Sequence, residues 1–207
     1  MYTNCVIPYY RGSGVYLGFP TRYTERTEWT PNYDDLSGAE KRKMRMELHP
    51  RYGLALTDGL FMCSRDGKHF TRYEEAFIRP GVENGLNWVY GDGYPARGFV
   101  ETISPIHGQP ELSIYMKENH WMSMPAALRR YTLRLDGFLS LHAGGKEETM
   151  VSKPFTFEGS DLFINFSTSA KGYLFVTLCC EGNQYVSCET FGNALDRKVH
   201  FDDLAVS

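Results

Sequence analysis

Short runs of β-forming residues, separated by polar turns, dominate the first part of the chain. Residues 6–9 and 15–19 are two such runs, and residues 60–63 and 70–77 are two more on either side of a Ser-Arg-Asp-Gly turn at 64–67. Asp suits this turn because its side chain bonds nearby backbone, and Gly tolerates a positive φ. The pattern predicts four antiparallel strands.

The same arrangement recurs farther along the chain. Residues 98–102 and 111–116 are two strand-like runs, residues 131–134 lead into an Asp-Gly turn at 136–137, and residues 138–142 return. Four-stranded units repeated in this way are typical of β-propeller blades. A meandering sandwich with coincidental turns is the alternative.

A polar insertion at about residues 24–50 separates the strands of the first copy. Within it, Ser37 and Glu40 have the spacing of a capping box, and residues 41–48 contain good helix formers that Pro50 would end. The basic side chains of this segment, Lys41, Arg42, Lys43 and Arg45, are expected to form a solvated face.

From about residue 150 the pattern changes to short alternating runs separated by Gly-, Ser- and Lys-containing turns. These runs are residues 155–157, 162–166, 173–178 and 199–201. Strands at this spacing predict a small sandwich. The sequence therefore predicts an all-β protein with two four-stranded antiparallel propeller-like blades in residues 1–149 and a β-sandwich-like segment in residues 150–207.

Composition narrows the classes of function. The chain has 207 residues, of which 42% are hydrophobic and 23% charged, so it can fold around a core. The 14 Tyr, 13 Phe and 3 Trp suit half-buried strands and also make flat surfaces for sugar rings. A formal charge of −3 offers no basic field for nucleic acid, so that partner is not expected.

Several other classes find no support in the sequence. No apolar run of about 18 residues would cross a membrane, and residues 1–5 lack signal-peptide features, so a cytoplasmic protein is expected unless the N-terminus is truncated. The five cysteines form no CxxC pair, and Cys179 and Cys180 are expected to be buried thiols. The six histidines lack metal-site spacing, and Gly91-Asp92-Gly93 lacks the context of a phosphate loop, so neither a metal nor a cofactor is predicted.

Five segments, taken in order, resemble the C-terminal part of the glycoside hydrolase family 32 and family 43 proteins. They are residues 16–23 (YLGFPTRY), 64–70 (SRDGKHF), 77–81 (FIRPG), 131–138 (YTLRLDGF) and 154–159 (PFTFEG). The resemblance implies blades of a five-bladed β-propeller, a C-terminal β-sandwich and a carbohydrate-active protein that binds or cleaves glycans. Segment 64–70 is also similar to the Asp-box turn of sialidases, which is structural.

The chain departs from these families in length. Two blades cannot close a ring, and the N-terminal blades that supply a catalytic carboxylate in those families are missing. Open sheet edges tend to pair with another strand. We therefore expect a truncated or inactive relative, with missing blades or a second copy of the chain completing the propeller. The alternative is a non-catalytic carbohydrate-binding or interaction module.

Glycoside hydrolysis requires two carboxylates across the scissile bond. Glu101 lies on the strand expected to be innermost in the second copy, so it is the predicted acid/base, with a solvent-facing glutamate as the alternative. Asp58 and Asp66 are better explained as turn formers. The sequence shows no convincing second member of a catalytic pair.

Four other side chains are predicted to bind substrate. Arg79 and Arg22 could donate paired hydrogen bonds to sugar hydroxyls, although a structural ion pair is the alternative for each. Trp88 and Tyr90 lie where the chain enters the second copy and could stack on a sugar ring. Trp121 could do the same or cover the core.

Overall fold

The chain consists of two compact units. The structure, a computed structural model, describes residues 1–84, 87–120 and 125–201. The units are Met1–Leu133 and Arg134–Ser207, so the division comes earlier than the change of pattern near residue 150. Regular structure in the described residues is mostly antiparallel β, with a few short helices, and the predicted all-β class is confirmed.

Short strands and one helical insertion make up the first unit. The strands described are β1 (Ile7–Pro8), β2 (Tyr16–Gly18), β3 (Thr21–Thr24), β4 (Leu56–Gly59), β5 (Met62–Ser64), β6 (Thr71–Arg72), β7 (Tyr94–Pro95), β8 (Val100–Ile103), β9 (Pro110–Glu118) and β10 (Ala127–Arg134). The helices α1 (Pro31–Asp35), α2 (Ala39–Met46) and α3 (Arg51–Leu54) lie between β3 and β4.

The four strands predicted for the first copy pair in the predicted order. They form one antiparallel sheet, β1-β2-β5-β6. Asp66 organises the turn between β5 and β6, because its Oδ1 accepts backbone hydrogen bonds from Lys68 at 2.8 Å and His69 at 2.7 Å. Gly67 follows it with φ of 70°. The predicted turn chemistry therefore matches the structure.

The second copy is organised around β9. Strand β10 lies on one side of β9, while β8 pairs with residues 110–113 and β7 with residues 116–117. The strand predicted at residues 138–142 is absent, and that prediction was wrong. The chain turns at residues 135–138, and Leu139 and Leu141 then point into solvent without a strand partner.

Two groups of apolar side chains form the core of the first unit. Phe19 is fully buried, and its ring centroid lies 5.8 Å from those of Phe61 and Phe77. Three apolar residues at alternate positions of β9 are also buried, and Ser113 between them is fully buried too, so both faces of the strand are covered there. The three apolar residues are Leu112, Ile114 and Met116.

The insertion is helical, but its details differ from the prediction. Helix α2 follows Gly38, whose φ is 76°, and no side chain caps its first turn, so the capping box at Ser37 and Glu40 does not form. Pro50 stands at the start of α3. Tyr33, Leu36 and Leu54 make a small core between the helices.

The predicted solvated face of α2 was wrong for two of its four basic residues. Arg42 is fully buried and Arg45 almost so. The reason is the close approach of α3, where a Cβ at Gly53 would lie 2.5 Å from the Arg42 carbonyl oxygen. The Arg42 guanidinium turns inward and donates a hydrogen bond to the carbonyl of Trp88.

The second unit contains two antiparallel strand pairs in its described part. Strand β11 (Phe163–Ser167) pairs with β14 (Asn193–Lys198), and β12 (Thr177–Cys180) pairs with β13 (Asn183–Val186). The run at 155–157 is not a strand, contrary to prediction.

Much apolar surface in this unit is exposed. The exposed aromatic side chains are Phe155, Phe157, Phe163, Tyr173, Phe175 and Phe191. Cys179 and Cys180 are exposed too, because β12 belongs to a two-stranded ribbon, and their predicted burial was wrong. Within the ranges described, no helix is long and apolar enough to span a bilayer.

Candidate functional site

A small cleft in the first unit lies between β4, residues 78–84 and 87–93, and the end of β9. It has two parts that share Pro80, Asn87 and Glu118. The outer part has a volume of about 100 Å³ and is also lined by Gly81, Val82, Asn84 and Arg129. The inner part is also lined by Thr57, Asp58, Ile78, Arg79, Asp92, Gly93 and Met116.

Two glycines place Asp92 at the inner end of this cleft. Gly91 and Gly93 have φ of 95° and 75°, which L side chains rarely adopt. A Cβ at Gly91 would lie 2.1 Å from the ring of His120, and one at Gly93 would lie 3.0 Å from the Cα of Asp58. Only glycine on both sides allows the backbone carrying Asp92 to pack this closely.

Two buried threonines hold the same segment against the β3-β4 pair. The Thr57 hydroxyl donates to the Asp92 carbonyl at 2.5 Å and accepts from the Gly91 amide at 3.1 Å. The Thr21 hydroxyl donates to the Gly93 carbonyl at 2.9 Å. The backbone on both sides of Asp92 is therefore fixed by hydrogen bonds, which favours a defined side-chain position.

The Asp92 carboxyl group is buried and only partly satisfied. Its Oδ1 accepts the backbone N–H of His120 at 2.7 Å, whereas its Oδ2 has no hydrogen-bond partner among the described residues. Burial raises the pKa of Asp92 to about 6, against the backbone hydrogen bonds of His120 and Asn119, and the charge of Glu118 adds to the rise. Asp92 therefore exchanges a proton close to neutral pH.

Glu118 brings a second carboxylate to the cleft at the end of β9. Its Oε2 forms an ion pair of 2.7 Å with the Arg129 Nε, and its Oε1 accepts a hydrogen bond from the Tyr131 hydroxyl. Burial and that bond to Glu118 raise the pKa of Tyr131. These cross-strand partners from β10 orient the Glu118 carboxylate, whose side chain is only 14% exposed.

The wall of the cleft formed by residues 80–84 and 87 depends on Asn87. Its amide nitrogen donates to the carbonyls of Pro80 at 2.8 Å and Val82 at 2.7 Å, and its oxygen accepts the Asn84 amide at 2.9 Å. One side chain thus closes the loop that lines the outer part.

Two of the predicted binding residues lie at or near the cleft. Arg79 lines the inner part and is exposed, and its guanidinium pairs with Glu75. Trp88 lies one residue beyond Asn87 but packs against the helical core, and its indole N–H donates to the Gly81 carbonyl at 2.8 Å. The Trp88 ring thus supports the loop of the cleft.

Tyr90 and Arg22 lie outside the cleft lining. Tyr90 contacts other tyrosine rings, with its centroid 6.0 Å from that of Tyr23. Arg22 forms a paired ion contact with Asp58 across β3 and β4, in which its Nε donates to Oδ1 at 2.9 Å. This is the structural ion pair that was the alternative for Arg22, and Asp58 lies on a strand instead of in the turn predicted from the sequence.

Glu101 is also outside the cleft lining. It is exposed on β8, and its carboxylate accepts a hydrogen bond from the Tyr10 hydroxyl. The carboxylates that line the cleft are instead those of Asp58, Asp92 and Glu118. Trp121 lies outside the described residues.

Sequence reasoning missed Asp92 and Glu118 as a pair. The local signal for Asp92 is its position between two glycines, which indicates a tightly packed backbone and not only a phosphate loop. Glu118 carries no local signal, because its position in the cleft depends on the pairing of β9 with β10.

Among the described residues, no group of three or more His, Cys, Asp or Glu side chains is arranged to hold a metal ion. No protein-family model, curated protein or solved structure matches this chain, so the resemblance to glycoside hydrolase families 32 and 43 stays a prediction.

Proposed function

We propose that the chain is a carbohydrate-active protein of the glycoside hydrolase type that binds a glycan in the cleft of Asp92 and Glu118. The observation that supports this proposal is that, besides Asp58, which is paired with Arg22, two more carboxyl groups line one small cleft, and the pKa of one of them, Asp92, is raised to about 6. Titratable side chains whose pKa values are shifted by burial and by nearby charges concentrate at functional sites. A pair of carboxyl groups is also the chemistry that glycoside hydrolysis requires.

The two carboxyl groups suit different roles. Asp92 is present in both protonation states near pH 6, and the inner part of the cleft beside it, about 20 Å³, has room for one water. Through such a water Asp92 can give a proton to the glycosidic oxygen as the bond to the leaving sugar breaks. Glu118 is oriented by its ion pair with Arg129, so it can act as the base that activates water or as the nucleophile. Both carboxyl groups thus line the same cleft, each with different hydrogen-bond partners.

Polar side chains around the pair can hold sugar hydroxyl groups. Arg79 is exposed at the inner part, so its guanidinium can exchange the Glu75 contact for a sugar oxygen. Arg129 lines the outer part and is 59% exposed. Both arginines offer planar pairs of donors, which suit adjacent hydroxyl groups.

A non-catalytic glycan-binding module is the second candidate. The observation that favours it is that both carboxyl groups already carry structural bonds. Asp92 closes the turn at residues 119–120, and Glu118 ties β9 to β10 through Arg129 and Tyr131. In that case the cleft binds a glycan without cleaving it.

Turnover of a panel of aryl-glycosides tests the proposal. Asp92→Asn and Glu118→Gln should each lower kcat by about a hundredfold or more, the usual contribution of general acid–base catalysis. Glu101→Gln is the matched control, because Glu101 is an exposed carboxylate outside the cleft lining, and it should change kcat less than about twofold.

The outcomes separate the candidates. Full turnover by Asp92→Asn, or loss of turnover in Glu101→Gln alone, would contradict a catalytic cleft at Asp92. If the wild type cleaves nothing but binds an oligosaccharide that Asp92→Asn and Glu118→Gln bind more weakly, the non-catalytic candidate holds. The absence of both binding and turnover would overturn both candidates.

A further inference from the structure

Five tyrosines form a cluster at the surface of the first unit. This tyrosine cluster consists of Tyr2, Tyr23, Tyr52, Tyr90 and Tyr94, all of them half-buried. The ring centroids of Tyr2 lie 6.0 Å from Tyr23 and 5.8 Å from Tyr94, and those of Tyr90 lie 6.0 Å from Tyr23 and 5.8 Å from Tyr52. The rings therefore make one connected aromatic surface.

A cation lies at the edge of the cluster. The exposed Arg51 guanidinium is 5.0 Å from the ring centroid of Tyr52 and 5.9 Å from that of Tyr90. It also donates a hydrogen bond of 3.2 Å to the Tyr52 hydroxyl. The hydroxyl groups of Tyr2 and Tyr90 are 3.4 Å apart. Ring surfaces and polar groups thus alternate over a short distance.

The composition of the cluster differs from that of the interior. The buried aromatic group around Phe19 consists mainly of phenylalanines, among them Phe61 and Phe77. A cluster that served only to fill the interior would gain nothing from five hydroxyl groups, since each buried hydroxyl must find a partner. Tyrosines at a half-buried position instead offer an apolar ring face together with a polar tip.

We propose that the tyrosine cluster is a stacking subsite for a sugar ring of a glycan. This proposal rests on the proposed function, because it assigns a second contact region to the same class of ligand. A pyranose or furanose ring has apolar C–H faces and polar hydroxyl edges. The C–H face can lie on a tyrosine ring, while tyrosine hydroxyls and Arg51 bond the edge.

The chain connects the subsite to the cleft. Tyr90 and Tyr94 lie two residues on either side of Asp92, within the segment that Thr57 and Thr21 hold. The two proposed contact regions therefore share the segment 90–94. Tyrosine and arginine are also enriched at contacts between proteins, so a contact with a second copy of this chain is one outcome that the test distinguishes.

Binding of tetrasaccharides to the full chain tests the subsite. The probes are tetrasaccharides of glucose, galactose, xylose, arabinose and fructose, with α and β linkages, measured by titration calorimetry. Tyr52→Ala should weaken binding of the best tetrasaccharide about threefold to tenfold, the effect of losing one aromatic contact. Tyr52→Phe keeps the ring and loses only the hydroxyl group, so it should weaken binding less than Tyr52→Ala does.

Two controls test whether a loss of binding in Tyr52→Ala comes from the tyrosine cluster itself. Tyr173→Ala removes an exposed tyrosine of the second unit and should leave binding unchanged. Circular dichroism melting of Tyr52→Ala checks that the variant is folded. Arg51→Met should weaken binding in the same direction as Tyr52→Ala, because it removes the donor at the edge of the cluster.

The subsite and the proposed function fail in different ways. Equal binding by Tyr52→Ala and the wild type overturns the subsite, as does a wild type that binds none of the probes at millimolar concentration. Reduced self-association of Tyr52→Ala in sedimentation, with unchanged sugar binding, shows a contact between copies and also overturns it. If Tyr52→Ala weakens binding but Asp92→Asn and Glu118→Gln change nothing, the subsite stands and the cleft is rejected.

Discussion

At the scale of single residues, Asp92 couples folding to pH. Its pKa is about 6 in the folded chain, above the value near 3.9 of an unfolded aspartate, so the folded state binds this proton more tightly. The contribution of Asp92 to stability is therefore complete below about pH 4 and is lost as pH rises through about 6. Burial of the charged form is the cause.

Asp92→Asn should remove this pH dependence. Between pH 4 and 7 the unfolding free energy of the wild type should fall relative to that of the variant by roughly 2–3 kcal/mol, since one pKa unit corresponds to about 1.4 kcal/mol. Urea unfolding of both proteins across this pH range measures the difference between their unfolding free energies. A constant difference between the two proteins would show that Asp92 titrates as an ordinary aspartate.

Asp66 should be the most sensitive residue of the β5-β6 turn. It accepts hydrogen bonds from two backbone amides and contacts His69 Nδ1 at 2.6 Å, and these bonds, that of the His69 side chain first, lower its pKa. Asp66→Ala should lower the thermal midpoint and speed amide exchange at Lys68 and His69. Arg65→Ala, its exposed neighbour, is the control. Unchanged exchange in Asp66→Ala would contradict the role of its side chain.

At the scale of elements, α2 carries an unusual internal charge. Arg42 is fully buried, and among the described residues its Nε and Nη1 have no hydrogen-bond partner. Burial, and then the charge of Arg45, lower the pKa of Arg42. The helix is therefore held in place by the packing of the apolar stem of Arg42 more than by its charged group.

Replacing Arg42 by an uncharged side chain of similar volume should change the free energy of unfolding little. Arg42→Met should change the unfolding free energy by less than about 1 kcal/mol or raise it, because buried ionic groups are often replaced by apolar ones without loss. Arg42→Ala should lower it by about 2–4 kcal/mol, because it leaves a cavity. Urea unfolding distinguishes them, with exposed Lys43→Met as the control. Equal destabilisation by both would mean that the charge itself stabilises α2.

The elements also show how far the sequence can be used to predict this fold. The strands of the first sheet could be predicted because three of the runs are rich in apolar β-formers and Asp66-Gly67 marks the turn into the fourth, the polar strand β6. Strand β7 could not, because two residues carry no periodicity. The burial of Arg42 and the approach of Glu118 to Asp92 follow from packing between segments distant in sequence, which no local pattern encodes.

At the scale of the whole molecule, the two units differ in how much they bury. In the first unit, the side chains of Leu112 and Ile114 on β9 are fully buried. In the second, strands β11 to β14 leave aromatic residues such as Phe163 and Phe175 more than half exposed. Sheets that bury so few apolar side chains undergo local unfolding more readily than a well-buried sheet does.

Native-state hydrogen exchange should reveal this difference. Amides of β9 should be protected at least about a hundredfold more strongly than those of β12, since local opening requires less free energy where few apolar contacts are lost. Measurement at several protein concentrations serves as a control for association. Strong, concentration-dependent protection of β12 would show that another copy of the chain covers this unit.

The most direct test of the central claim, that the Asp92–Glu118 cleft is the glycan site, is titration of the ¹⁵N-labelled chain with the best-binding tetrasaccharide. The largest amide shifts should occur in the segments that line the cleft, residues 78–84, 87–93 and 116–118. Asp92→Asn should reduce those shifts at equal ligand concentration. Shifts centred on Glu101 and β8, or confined to the second unit, would contradict the account.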